Sequence, residues 1–242
     1  MAQICSEGYL ELKKTTPFRQ GECEALDRPR ERLLSLGARA LADVELLALC
    51  LGSGCRGESA SAMAQRLLLE FDGMAGLLGA SIQRLQATKG LGTAQAARIK
   101  AIAELYVRQT EVELSDRNMA QTMSQSTQVM RYVQQQIAYE EREVFACLYL
   151  DTRHRLLRFE EVFRGTVNRA YVFPREILRR ALMLNAVAVV LAHNHPSGVV
   201  EPSQADIHVT EDLVDLLKRV EVRVLDHIIV APGQALSMAA GY

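Results

Sequence analysis

The sequence lacks the cysteine patterns that stabilise small secreted domains or form thiolate zinc clusters. Its cysteines are odd in number and none forms a CxxC pair (Cys5, Cys23, Cys50, Cys55 and Cys147). This argues against a disulfide framework and against a zinc site built from thiolates. The pattern suits a reducing compartment, so we expect a cytoplasmic protein and interpret Cys147 as a core residue.

Long apolar runs and a strong net charge are also absent. No run reaches the roughly 20 apolar residues of a membrane-spanning helix. The N-terminal stretch MAQICSEGYLELKKTTPF has no apolar core of the secretory type. The net charge of −1 gives no overall attraction to nucleic acid or anionic lipid. We therefore expect a soluble protein with no membrane partner.

The chain divides by its pattern into two parts. Residues 1–110 are rich in Leu and Ala at helical spacing and are punctuated by glycines, which predicts an all-α domain. Residues 111–128 are polar without a clear apolar stripe, so we interpret them as a linker. Residues 129–242 form the second domain, in which EVFACLYLD, HRLLRFEEVFRG, AVAVVLAH and RVLDHIIVA are predicted strands and PREILRRALMLN and SQADIHVTEDLVDLLKRV predicted helices. Strands that alternate with helices predict an α/β fold.

Two of the five histidines stand close together at the end of the most apolar predicted strand, in LAHNHPSGVVEPSQAD. Side chains two residues apart in an extended chain point to the same side, so His193 and His195 can face one point. Asp206 lies in the first turn of the following helix and can approach that point. Two imidazoles and a carboxylate are a ligand set for zinc with one position open to water. Alternatively, Ser203 and Asp206 form only a helix cap resembling a capping box.

The same residues carry a resemblance to a known family. His193-x-His195-Pro196, followed by Ser203-x-x-Asp206, resembles the JAMM signature of MPN-domain zinc metalloproteases. With FRGT, PREI and DHIIV, the string looks like the RadC family. The resemblance implies an MPN/cytidine-deaminase-like domain, a mixed sheet with flanking helices, and one zinc ion per chain. It also implies that Ser203 donates a hydrogen bond to the developing oxyanion.

The JAMM pattern includes an upstream glutamate that acts as the general base. Glu143 opens the strand EVFACLYLD and is our choice, because the family's glutamate opens a strand of this kind. Glu141, Glu160 and Glu161 remain alternatives, and each of the four can also be an ordinary solvated charge at a strand edge.

The other histidines are not expected to bind zinc. His227 lies among apolar residues and is more readily explained as a buried, locally hydrogen-bonded residue. His208 points away from the site on the helix, and His154 lies in a polar turn.

A second motif lies in the helical part, in LQATKGLGTAQAARIKAIAEL. It resembles the helix-hairpin-helix motif, which implies phosphate binding by backbone amides around Lys89, Gly90, Gly92 and Thr93. Local charge agrees, with five cations (Arg84, Lys89, Arg98, Lys100 and Arg108) against Glu104 alone. The alternative is a glycine turn between two packed helices. We expect at most weak, non-specific DNA binding.

Three functions are compatible with these motifs. The first is a zinc-dependent hydrolase of the metallopeptidase or isopeptidase kind, acting on an unidentified protein or peptide. The second is a DNA-associated protein whose MPN-like domain is a scaffold, which would not need the two histidines and Asp206 around an open site. The third is a zinc deaminase, but the H-x-E and P-C-x-x-C signatures of that class are absent.

Overall fold

The computed structural model describes residues 28–115, 124–165 and 173–238. The stretch in which we looked for a secretory signal and the centre of the predicted linker lie outside these residues.

Residues 28–110, the described portion of the first part, form the predicted helices. The elements are α1 (Pro29–Leu36), a short 3-10 helix (Ala38–Ala40), α2 (Asp43–Leu51), α3 (Ala60–Glu70), α4 (Met74–Gly79), α5 (Ile82–Ala87) and α6 (Thr93–Ser115). Serine caps begin two of them: the hydroxyl oxygens of Ser59 and Ser81 accept hydrogen bonds from amides in the first turns of α3 and α5. The helices enclose one apolar core, whose fully buried members include Leu51, Met63, Leu67, Leu77, Leu85 and Ile99.

The predicted linker at 111–128 has helical ends where the structure describes it. Helix α6 continues to Ser115, and α7 (Ser124–Ile137) begins before the predicted end of the linker. Ile99 belongs to the first core, whereas Val107 and Leu114 pack against the core of the second part. Residues 111–115 are exposed or half-buried; Val107 and Leu114 lie two turns apart, and Ser115 donates a hydrogen bond to the carbonyl of Leu156 in the second part. No helix among the described residues is both long and apolar enough to cross a membrane.

The second part contains a mixed sheet of five strands, in agreement with the predicted α/β fold. The strands are β1 (Val144–Leu150), β2 (Leu156–Arg164), β3 (Ala188–Asn194), β4 (Arg223–Ala231) and β5 (Gln234–Ser237), in the order β2-β1-β3-β4-β5. Among the described strands, β3 and β4 pair in parallel, and the other neighbours are antiparallel. The remaining helices are α8 (Pro174–Met183) and α9 (Gln204–Lys218).

Both faces of the central strands are covered. Successive side chains of a strand point to opposite faces, so Val144, Ala146 and Leu148 pack with residues of α7. Phe145 and Cys147 pack with residues of α8 and α9 on the other face. Burial on both sides explains why β1 and β3 are almost entirely apolar.

The parallel unit β3–α9–β4 positions the candidate site. Parallel strands require a crossover, here α9, which returns the chain from the carboxyl end of β3 to the start of β4. In α/β sheets the crevice at the carboxyl ends of the strands is the usual place for ligands. His193, His195 and the N-terminus of α9 meet at this edge of the sheet.

Candidate metal centre

Three side chains converge at the carboxyl end of β3. The Nε2 atom of His193 lies 2.9 Å from Nε2 of His195 and 3.1 Å from Oδ1 of Asp206. The Nε2 atom of His195 lies 3.6 Å from Oδ2 of Asp206. These potential ligand atoms all lie within 4.8 Å of one another, so the structure brings the three predicted ligands together.

His195 is oriented by the turn that follows it. Its Nδ1 lies 2.5 Å from the carbonyl oxygen of Val199, which can only accept a hydrogen bond. Gly198 has φ +86°, a conformation that glycine adopts without strain, and its amide donates to the carbonyl of His195. The turn HPSG therefore places a carbonyl against Nδ1 and leaves the Nε2 lone pair toward Asp206.

His193 is oriented by side chains instead. Its Nδ1 lies 2.8 Å from Nε2 of His227, whose Nδ1 lies 2.6 Å from the hydroxyl oxygen of Thr210. Both His227 and Thr210 are fully buried. Burial lowers the pKa of His227 to about 3, so its ring is neutral near neutral pH. His227 is thus buried and hydrogen-bonded, as we expected, and it is not one of the three grouped ligands.

Asp206 takes part in the cap of helix α9 and also faces the candidate metal site. Its Oδ2 accepts hydrogen bonds from the amide of Ser203 at 2.7 Å and from the hydroxyl of Ser203 at 2.6 Å, while Oδ1 faces His193. Burial acts to raise the pKa of the Asp206 carboxyl, but hydrogen bonds to the carboxylate, including the two donated by Ser203, outweigh it. The net result is a pKa well below the ordinary value. Asp206 is therefore a carboxylate, the form that binds a metal.

Ser203 is the N-cap of α9, as the capping interpretation predicts. Its oxygen also accepts a hydrogen bond from the Asp206 amide at 3.2 Å, which completes the capping box. A hydroxyl has one proton, and in this arrangement Asp206 accepts it. Donation to an oxyanion requires the hydroxyl to rotate.

Glu143 lies directly before β1 and is exposed. Phe145 pairs with His193 in the antiparallel register of β1 and β3. Continuing that register by two residues brings Glu143 opposite His195, on the face of the sheet that carries both histidines. The strand geometry therefore favours our choice of glutamate.

The side chain of Asn194 fixes the chain around Glu143. Asn194 is fully buried, and its Oδ1 accepts a hydrogen bond from the amide of Val144 at 2.7 Å. Its Nδ2 donates to the carbonyls of Glu140 and Arg142 at 3.0 and 3.1 Å. One side chain thus ties the end of β3 to the turn that carries Glu143. Sequence reasoning missed it, although a polar residue between two ligands must point to the opposite face and find partners there.

The alternative glutamates are engaged elsewhere or placed farther from the strand. Glu160 forms a bidentate ion pair with Arg180 of α8. Glu161 pairs with Arg164 at 2.6 Å, opposite Ala146 on the other face of the sheet. Glu141 lies in the bend before β1 and is exposed.

The helix-hairpin-helix candidate forms a turn between α5 and α6. Lys89, Gly90, Gly92 and Thr93 are exposed, and Gly90 has φ +81°. The amide of Gly92, however, donates to the side chain of Gln95 at 3.0 Å, and Gln95 in turn donates to the carbonyl of Ser53.

Four of the five cations around that turn have contacts within the protein. Arg98 donates to the last carbonyl of α2, and Lys100 donates to two carbonyls at the end of α4. Arg108 pairs with Glu104, and Arg84 lies over the ring of Phe71. These contacts favour the packing alternative for the motif.

The donor set fits a zinc ion. When both rings carry their proton on Nδ1, two imidazole lone pairs and a carboxylate oxygen face one another, and they repel unless a cation lies between them. Neutral imidazoles and a carboxylate are ligands that zinc binds, and three protein ligands are typical of catalytic rather than structural zinc. His193, His195 and Asp206 would hold the ion.

Comparison with known proteins gives matches in both parts of the chain. A family model described as a RadC-like JAB domain matches residues 123–242, and a UPF0758 N-terminal model matches residues 21–97. A UPF0758 protein of Pseudomonas savastanoi pv. phaseolicola is 46% identical over 214 residues, covering 88% of this chain and 94% of the relative. UPF0758 proteins of Methylibium petroleiphilum and Ectopseudomonas mendocina are 50% and 49% identical over 94% and 95% of their lengths, and over 88% and 89% of this chain. The chain therefore belongs to the RadC (UPF0758) family and carries its JAB domain.

Proposed function

We propose that this protein is a zinc-dependent hydrolase that cleaves amide bonds, as a metallopeptidase or isopeptidase. The observation that carries the proposal is the convergence of His193, His195 and Asp206, with both imidazoles oriented by hydrogen bonds at Nδ1. Membership of a JAB-domain family supports the same chemistry.

Three residues hold the ion, and a fourth transfers the proton. His193, His195 and Asp206 hold the ion, and a zinc ion in such a site polarises a carbonyl and lowers the pKa of a bound water to near 7. Glu143 accepts the proton of the attacking water and delivers it to the leaving amine. The carbon–oxygen bond forms first, and negative charge develops on the carbonyl oxygen. The carbon–nitrogen bond breaks as that charge returns to carbon, so one proton moves from water to nitrogen through the carboxylate.

Ser203 supplies the remaining interaction. Rotation of its hydroxyl away from Asp206 directs the proton toward the carbonyl oxygen of the substrate, where negative charge develops. The amide of Ser203 continues to donate to Asp206 after this rotation, so the carboxylate keeps one of its two bonds.

The test is hydrolysis of a fluorescence-quenched peptide library containing ordinary and lysine-linked amide bonds. We expect zinc-dependent cleavage by the wild type, and a loss of about 10²–10⁴-fold in Glu143→Gln with fold and zinc content retained, because the amide cannot accept the proton. Glu141→Gln and Glu161→Gln are matched controls and should be much milder. If Glu143→Gln cleaved as fast as the wild type while one control was inactive, another glutamate would be the base.

The alternative function is DNA association through the α5–α6 turn. If the turn binds phosphates, duplex binding should weaken steeply with salt, because each neutralised phosphate releases counterions. Lys89→Glu combined with Gly92→Val should then weaken binding to all sequences alike. Absence of binding at low salt, or binding insensitive to salt, would leave the packing interpretation of the turn in place.

A further inference from the structure

We infer that His227 and Thr210 are positioning residues for the metal ligand His193: a buried chain of hydrogen bonds holds its proton on Nδ1 and directs its Nε2 lone pair to the ion. The inference rests on the proposed zinc site and adds two residues that do not contact the metal. The positions of the protons follow from the order of donors and acceptors in this series of hydrogen bonds.

The direction of the chain is set at its far end. The hydroxyl of Thr210 donates to the carbonyl oxygen of Asp206, because a carbonyl has no proton to give. With its only proton used, the Thr210 oxygen accepts from Nδ1 of His227 at 2.6 Å. A neutral His227 then has its lone pair on Nε2.

The hydrogen bond between His193 and His227 is directed by the same count of protons. Nε2 of His227 accepts the proton of His193 Nδ1 across 2.8 Å. A neutral imidazole carries one proton, so Nε2 of His193 has a free lone pair, which points toward His195 and Asp206. Each proton in this series of hydrogen bonds has one acceptor. The surroundings therefore select the tautomer of His193 that carries its proton on Nδ1, which leaves Nε2 able to bind a metal.

The chain of hydrogen bonds also connects three elements. His193 lies on β3, His227 on β4 and Thr210 on α9, one turn after Asp206. The ring of Phe145 stacks on His193 with an interplanar angle of 8° and meets His227 edge-on at 5.4 Å. Because His227 and Thr210 are fully buried, bulk water cannot readily replace a lost partner.

His195 is oriented by the backbone, whereas His193 is oriented by side chains. Its Nδ1 faces the backbone carbonyl of Val199, which remains in place when side chains are replaced. The orientation of His193, in contrast, depends on two replaceable side chains. Mutations at His227 should therefore act on metal affinity through His193, whereas Thr210 also bonds the backbone carbonyl of Asp206.

The experiment measures the zinc dissociation constant by competition with a chromogenic chelator. We expect His227→Leu, which offers no acceptor, to bind zinc roughly 10–100-fold more weakly than the wild type. Thr210→Val keeps the shape and removes the hydroxyl, and it should lose about 10-fold. His227→Gln offers an amide oxygen to His193 and should recover part of the loss.

Thr110→Val is the matched control. The buried hydroxyl of Thr110 donates to the carbonyl four residues earlier in α6, as that of Thr210 does in α9, but it lies outside the site. Thr110→Val should leave zinc affinity unchanged, and thermal unfolding of the metal-free proteins separates a folding defect from a metal effect.

Wild-type affinity in both Thr210→Val and His227→Leu would overturn the inference while leaving the zinc site intact. A wild type that does not bind zinc would overturn the proposed function, and this inference with it.

A second readout reports the tautomers directly. In the zinc-loaded wild type at about pH 8, where imidazoles are neutral, long-range proton–nitrogen NMR should place the protons of His193 and His227 on Nδ1. A proton on Nε2 of His227 in the loaded protein would reverse the chain and contradict the assignment.

Discussion

At the scale of single residues, the grouping of the candidate ligands could be predicted from the sequence, but the residues that orient them could not. His193, His195 and Asp206 form a local pattern within fourteen residues. The partners of His193 come from α9 and β4, so their contacts depend on the fold. His227 was correctly interpreted as buried, but its link to His193 becomes visible only once β3 and β4 pair in parallel.

Asn194 gives a prediction at this scale. Asn194→Asp keeps an acceptor for the amide of Val144 but loses the Nδ2 donor, so a carboxylate faces the carbonyls of Glu140 and Arg142. We expect the turn that carries Glu143 to shift, with hydrolysis falling at least about 10-fold, since small misplacements of reacting groups are costly. Zinc content should remain that of the wild type, because both histidine rings keep their partners. Equal activity of variant and wild type would show that Asn194 does not position the base.

At the scale of elements, the strands and most helices follow from local pattern. The predicted strand RVLDHIIVA coincides with β4, and the predicted helix PREILRRALMLN contains α8. The described ends of the predicted linker are helical, and residues near the end of α6 contact the sheet domain: Val107 and Leu114 pack against its core, and Ser115 donates to the carbonyl of Leu156. Tertiary contact, not local pattern, extends α6 past residue 110.

The β1–β2 hairpin gives the prediction at the element scale. Asp151 accepts hydrogen bonds from the amides of Arg153 and Arg155 and pairs with the Arg155 side chain. Burial acts to raise the pKa of Asp151, but these bonds outweigh it and lower the pKa. Asp151→Asn should lower the free energy of unfolding at pH 7 by about 1–3 kcal/mol.

The pH dependence of this effect has a definite sign. A lowered folded-state pKa means that the carboxylate stabilises the fold above its unfolded pKa of about 3.9 and loses that effect as the pH falls toward the folded value. The difference between wild type and Asp151→Asn in urea unfolding should therefore shrink between pH 5 and pH 3. Asp212→Asn, at an exposed position, is the control; a constant difference for Asp151→Asn across this range would contradict the account.

At the scale of the whole molecule, two apolar cores share one helix. The first half of α6 packs in the helical core and its second half contacts the core of the sheet. The candidate metal site lies where β3 ends and α9 begins. Among the cations near the α5–α6 turn, Arg108 pairs with Glu104, and Arg98 and Lys100 donate to backbone carbonyls.

The most direct test of the central claim is the zinc content of the purified protein, measured by atomic emission beside that of His195→Ala. Two imidazoles and one carboxylate, held with their lone pairs together, predict about one zinc per chain in the wild type. His195→Ala should lose most of it, because two remaining ligands hold zinc poorly, whereas His208→Ala, an exposed histidine on the same helix as Asp206, should retain it. Equal zinc content in the wild type and His195→Ala would contradict the assignment of this metal centre.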